Sequence, residues 1–151
     1  MTIDILSWRE VDFAGVVLAG LIAGYVMALA GLWAGRVPGL VTFDIADFGR
    51  RYLVADRASA WFFGLLSHLV NSVLLTLVWA SAVEPNLAWP RWIEGAVFGI
   101  FLAVTLAGAL VAPMAGLGLM GRKTGSLSFA VTSLLVHVGW GVLIGVIYVP
   151  R

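Results

Sequence analysis

Two histidines carry the chemistry this chain has available. In the apolar run Ser126–Val149, the residues Ser133, His137, Gly141 and Gly145 follow one another at intervals of four. That spacing places them in one stripe along one face of a helix. A second apolar run, Ala58–Ala80, holds His68, with Asn71 and Ser72 three and four positions on and Thr76 extending the row. Neutral imidazoles act as metal ligands or as hydrogen-bonding groups. The residues around them narrow the choice. With the apolar runs bounded as here, no Asp or Glu falls inside one, and there is no Ser–His–Asp set and no H-E-x-x-H. Cysteine is absent, which excludes disulfides, thiolate metal sites and thiol catalysis. No catalytic constellation is left, so the chain is not expected to be an enzyme.

The depths of the two histidines match. His68 lies ten residues past Ala58 and His137 eleven past Ser126. At 1.5 Å per residue, both sit roughly 15 Å into a ~30 Å hydrocarbon core. Such a pair could supply both axial ligands of a haem b, with Gly141 and Gly145 letting the flat macrocycle lie against the helix. Bacteriochlorophyll, with one histidine per magnesium, is a variant of the same idea. The competing arrangement is structural. His68 has Asn71 and Ser72 within reach and His137 has Ser133 one turn back, or the two rings bond each other and tie their helices together. Local partners are plentiful, which favours the structural arrangement, and no cofactor is expected.

The elements that must hold these residues are membrane spans. The 151 residues are 62% hydrophobic and 11% charged, with a mean hydropathy of +1.03. Soluble domains carry about 25% charged residues, so an integral membrane protein is expected, with the lipid bilayer as its first partner. A net charge of +1 offers no basic stripe for nucleic acid. Four spans are expected at about 13–35, 58–80, 95–115 and 126–149, forming a single transmembrane domain over 1–151. Gly20–Gly24 and Gly31–Gly35 in the first span are G-x-x-x-G pairs that let a second helix approach. Tyr25 in the same span calls for a hydrogen-bond partner.

Between the spans, Pro38-Gly39 marks a turn. Beyond it Ile45, Phe48 and Tyr52 repeat at helical spacing, which predicts a short amphipathic surface helix within 36–57. Trp8, Trp61, Trp79, Trp89 and Trp92 fit interfacial belts. Pro113 should kink or end the third span. Gly116, Gly118 and Gly121 match G-x-G-x-x-G by accident, because no strand precedes them; Arg122 and Lys123 beside them suit lipid phosphates. Loops 36–57 and 116–125 carry six Lys and Arg against three on the other side. That bias puts both loops in the cytoplasm and both termini outside.

This layout resembles a family of small bacterial four-span membrane proteins known only as a domain of unknown function. The likeness rests on Phe43-Asp44-Ile45 after the first span, His68, Pro113-Met114-Ala115-Gly116 closing the third span, and His137, Gly141 and Gly145 in the fourth. It implies an all-α bundle of four transmembrane helices in a bacterial inner membrane and supplies no activity. The function expected is a non-catalytic accessory subunit packing against other membrane subunits of a larger complex, of redox or photosynthetic kind. Small-residue faces on the first and fourth spans motivate it. The alternative is a bis-histidine haem b or bacteriochlorophyll electron-transfer subunit. A small transporter or lipid-binding protein using the polar stripe of the second span comes third.

Overall fold

The computed structural model describes residues 3–45 and 57–150. Among these the chain is helical, with no strand. Four long helices organise it: α1 (Phe13–Ala34), α2 (Arg57–Val78), α3 (Arg91–Leu102) and α4 (Ser128–Ile147). Helix α2 runs on through a wide-turned stretch, Trp79–Val83, into a tight turn at Glu84–Asn86. Helix α3 runs on through nine π-helical residues, Ala103–Val111, to Ala112–Met114. Counted with these extensions, four helices are long and apolar enough to cross a membrane: Phe13–Ala34, Ser59–Asn86, Arg91–Met114 and Ser128–Ile147. The second outruns its expected end by six residues. The third starts four residues earlier than expected and so takes in Glu94.

The helices pair as two hairpins, α1 with α2 and α3 with α4, joined where α1 packs on α4. Glycine sets the closest approaches. A Cβ on Gly141 would overlap the carbonyl oxygen of Gly95, one on Gly145 that of Arg91, and one on Gly99 that of His137. The α3 and α4 backbones therefore touch along a seam that admits no side chain. On α1, a Cβ on Gly20 would lie 2.7 Å from the Val73 Cα, and one on Gly24 2.7 Å from the Ser72 Cβ. The G-x-x-x-G pair Gly20–Gly24 thus packs α1 on α2.

At the end holding the chain termini the core is dense. Val16, Trp79, Glu94, Ile144 and Tyr148 are all at most 2% exposed. The Trp79 and Tyr148 rings meet edge to face at 5.6 Å. Trp79 is therefore core and not part of an interfacial belt; Trp8, Trp61, Trp89 and Trp92, each at least half exposed, fit the belt. The N-terminal segment is tied to this end. Leu6 N–H donates to the Ser81 carbonyl (3.0 Å), and Asp4 N–H donates to the Asn86 side-chain oxygen (2.9 Å).

The loop end is looser. Val37 to Leu40 forms the expected Pro-Gly turn, closed by Leu40 N–H donating to the Val37 carbonyl (3.1 Å), with Gly39 at φ +86°. The chain then runs irregularly to Asp44, held by Phe43 N–H on the Gly31 carbonyl (2.9 Å) and Val41 N–H on Thr132 Oγ1 (3.0 Å). Most of the surface helix expected within 36–57, including Phe48 and Tyr52, lies outside the described residues. Pro113 does end its span: the ladder widens over the nine residues before Ala112, and the helix stops at Met114. A proline has no N–H to continue the ladder.

Candidate functional site: a histidine cleft between the hairpins

Helix α2 leans on α1, and its contact with α3 is made through its extension Trp79–Val83. Toward the loop end the hairpins therefore part. They leave a half-open cleft of about 1190 Å³, walled by all four helices and by 41–45. His68 and His137 both line it. Apolar side chains such as Leu75, Leu102, Leu106 and Val136 make most of the wall, and Asp44, Thr124 and Phe129 lie toward the loop end. The π-helical stretch contributes Leu106, Ala107 and Val111. A π-bulge often marks a functional position in a helix.

Each histidine is held through one ring nitrogen. His68 Nε2–H donates to the Gly24 carbonyl on α1 (2.9 Å), and His137 Nδ1–H donates to the Ser133 carbonyl one turn back (2.7 Å). A carbonyl oxygen only accepts, so each bonded nitrogen carries its hydrogen, and the neutral ring keeps a lone pair on the other nitrogen. That leaves Nδ1 of His68 and Nε2 of His137 without a hydrogen bond among the described residues. Asn71 also lines the cleft; it is exposed, and its side-chain amide has no hydrogen-bond partner among the described residues. In a span, a free amide of this kind faces protein, water or a ligand and avoids lipid.

A chain of hydrogen bonds closes the cleft at its deep end. Trp140 Nε1–H on α4 donates to Ser72 Oγ on α2 (2.7 Å), and Ser72 Oγ–H donates to the Gly20 carbonyl on α1 (2.7 Å). Three helices are stitched at one buried point. The spacing of α2 places Ser72 beside His68, but the bonds Ser72 makes are to Trp140 and Gly20. The signal for this link was the polar stripe of α2 itself, which needs a partner somewhere.

The structure brings His68 and His137 to one cavity and leaves Gly141 and Gly145 out of it. Both glycines lie against the backbone of α3, so no macrocycle rests on them. The local partners foreseen for His68, Asn71 and Ser72, are not the ones it takes; Ser133 is the partner of His137, through its carbonyl. Nor do the two rings bond each other. Tyr25 is 49% exposed on the outer face of α1 and has no hydrogen bond among the described residues. Glu94 was missed. It is 1% exposed near the start of α3, with Oε1 accepting the Trp89 N–H (3.1 Å) and Oε2 buried without a partner among the described residues. The sequence signal was Pro90 at the cap with an acid in the first turn. It belongs to the termini end, away from the cleft.

The fit to a haem is unequal. His137 presents Nε2 with its Nδ1–H on a carbonyl, which is how metal-bound imidazoles are usually oriented. His68 presents Nδ1, next to its own Cβ, where a flat macrocycle is crowded. No group of three or more His, Cys, Asp or Glu able to hold a metal ion occurs among the described residues. No protein-family model, curated protein or solved structure matches this chain.

Proposed function

We propose that this protein binds a membrane-soluble ligand in the histidine cleft, and that the ligand joins an apolar body to one or more hydroxyl or amide hydrogens. One observation carries the reading: two imidazoles, each fixed by a carbonyl and each keeping a nitrogen without a hydrogen bond among the described residues, line one largely apolar cavity beside Asn71, whose amide is likewise unpartnered among the described residues. Lone pairs there accept hydrogens, and Asn71 both donates and accepts. Apolar walls with few polar groups are the usual make-up of a small-molecule site.

The test is to purify the protein from its native membrane in mild detergent, extract with organic solvent, and identify what is retained by mass spectrometry. A stoichiometric hydroxylated or amide-bearing amphiphile is expected, lost in His137→Ala and in His68→Ala while the bundle stays folded. Recovery of the same ligand from both variants counts against the cleft.

A haem held by His137 Nε2 alone is the second reading, favoured by the Nδ1–H bond to the Ser133 carbonyl. A Soret band lost in His137→Ala and kept in His68→Ala would distinguish it, and a colourless sample excludes it. The accessory-subunit expectation keeps less support. The glycine faces that motivated it are filled within the chain, Gly20 and Gly24 by α2 and Gly141 and Gly145 by α3. The proposal keeps the chain as a multi-pass protein of the bacterial inner membrane, termini outside and loops 36–57 and 116–125 cytoplasmic. On that topology the cleft opens toward the cytoplasmic leaflet. The four-span family resemblance frames the bundle and says nothing of the ligand.

A further inference from the structure

A second cavity lies on the opposite side of α4 from the glycine seam. It is a groove of about 330 Å³ between α1 and α4, walled by Ala30, Trp33 and Val37 on one side and by Leu135, Gly139 and Leu143 on the other. Its only polar side chains, Thr132 and Trp140, are already engaged. Thr132 Oγ1–H donates to the Ser128 carbonyl (2.7 Å) while its oxygen accepts the Val41 N–H, and Trp140 Nε1–H is on Ser72. Nothing in the groove asks for a hydrogen bond, so what fills it is hydrocarbon.

Its length and its end say which hydrocarbon. The lining runs from Thr132 to Leu143 on α4, and from Val26 to Ala34 on α1 with Val37 and Leu40 in the turn beyond it. The α4 stretch rises roughly 16 Å at 1.5 Å per residue, about half of a ~30 Å core. The groove is therefore one leaflet deep. It begins at the loop end of α1, where the Arg36 guanidinium lies 3.5 Å over the ring of Trp33, one of the lining residues. Arg36 is exposed and makes no ion pair among the described residues. Stacking uses the face of the guanidinium and leaves its N–H edge for a planar or tetrahedral anion.

We infer that the α1–α4 groove is a binding site for one anionic phospholipid, with an acyl chain along Gly139 and the phosphate at Arg36. This rests on membrane placement and not on the cleft reading, and it uses a different cavity. Gly139 offers a clean test, because a Cβ there would meet nothing within 4 Å. Gly139→Leu fills the groove without disturbing a helix contact, and Ala30→Phe fills it from the other wall.

The protein is equilibrated in detergent with phosphatidylglycerol and phosphatidylcholine of identical chains, and retained lipid is counted by native mass spectrometry. The wild type is expected to hold one phosphatidylglycerol with about fivefold preference over phosphatidylcholine, the size of one basic side chain near an anionic surface. Gly139→Leu and Ala30→Phe are expected to lose that lipid. Arg36→Gln is expected to keep a lipid and lose the preference. Equal retention of both lipids by the wild type, full retention by both groove-filling variants, or a groove closed by a second copy without lipid would each overturn the inference. The cleft ligand, extracted in parallel, should persist in all three variants, so failure of one site is not read as failure of the other.

Discussion

The two ends of this bundle spend the same residue types in opposite ways. At the termini end, glycines bring α3 and α4 into backbone contact, and Trp79, Ile144 and Tyr148 fill what remains. At the loop end the hairpins diverge, α3 loosens into π-helical turns, and polar side chains line a cavity with part of their hydrogen-bonding capacity unused. The Trp140–Ser72–Gly20 chain sits at the boundary. The lesson is one of division of labour. Without a hydrophobic force between helices in lipid, close packing and interhelical hydrogen bonds hold a bundle. Concentrating the close packing at the termini end, with the interhelical hydrogen bonds at the boundary and in the cleft, leaves the loop end open.

That division breaks first at the seam. Gly141→Ala places a methyl on the Gly95 carbonyl oxygen, and both partners are helix backbone that cannot swing aside. Overpacking commonly costs 1–3 kcal/mol, and this site should cost about 3 kcal/mol or more, read as a large fall in the detergent unfolding midpoint. Gly139→Ala, two residues away on the same helix, meets open space and should change stability by under about 1 kcal/mol. Equal losses in the two variants would mean the seam is not what holds α3 to α4. At the boundary, Ser72→Ala removes the acceptor of Trp140 and the donor to Gly20 together. A loss of about 1–2 kcal/mol is expected, near the upper range for single bonds between membrane helices because a buried indole N–H is left unmet. Tryptophan emission should shift with it.

How much of this was legible in the sequence divides along the same line. Long apolar helices can be read from hydropathy, since every backbone polar group in lipid must be satisfied by helix, and four helices long and apolar enough to cross a membrane overlap the four expected spans. Gly20–Gly24 was read as helix packing and is. The face carrying His137, Gly141 and Gly145 was also read correctly as one stripe. What a stripe does not reveal is which neighbour each member meets. His137 keeps its backbone carbonyl in the seam against Gly99 and turns its ring into the cleft, while Gly141 and Gly145 lie in the seam alone, so a set that looked like one site is split between cleft and seam. Glu94 was hidden because hydropathy begins a span at its first apolar residue, whereas the helix begins at its cap. The π-helical turns leave no compositional trace beyond Pro113 at their end. Trp79 looked interfacial because position along a span does not say whether a ring points outward.

The open end should answer more gently in stability and more sharply in binding. His68→Leu cuts the bond from α2 to the Gly24 carbonyl, a link of the kind that averages about 0.6 kcal/mol between membrane helices. A small drop in unfolding midpoint is expected together with loss of the extracted ligand. A drop as large as that of Gly141→Ala would place His68 in the tight end and undo the comparison.

Asn71→Leu carries the smallest effect and the most telling sign. The amide is exposed to the cleft and satisfied by nothing among the described residues, so removing it deletes an unmet polar group from a span. The leucine is compatible with helix and with its neighbour Leu75. Stability should therefore hold or rise, by up to about 1 kcal/mol, while ligand retention falls. A residue kept for packing behaves the other way, losing stability when truncated or exchanged. A gain in unfolding midpoint with a loss of binding is the pattern of a site maintained at the expense of the fold. If Asn71→Leu instead destabilised the empty protein, the amide would have a structural partner, and the loop end would be a second core in place of a binding cleft.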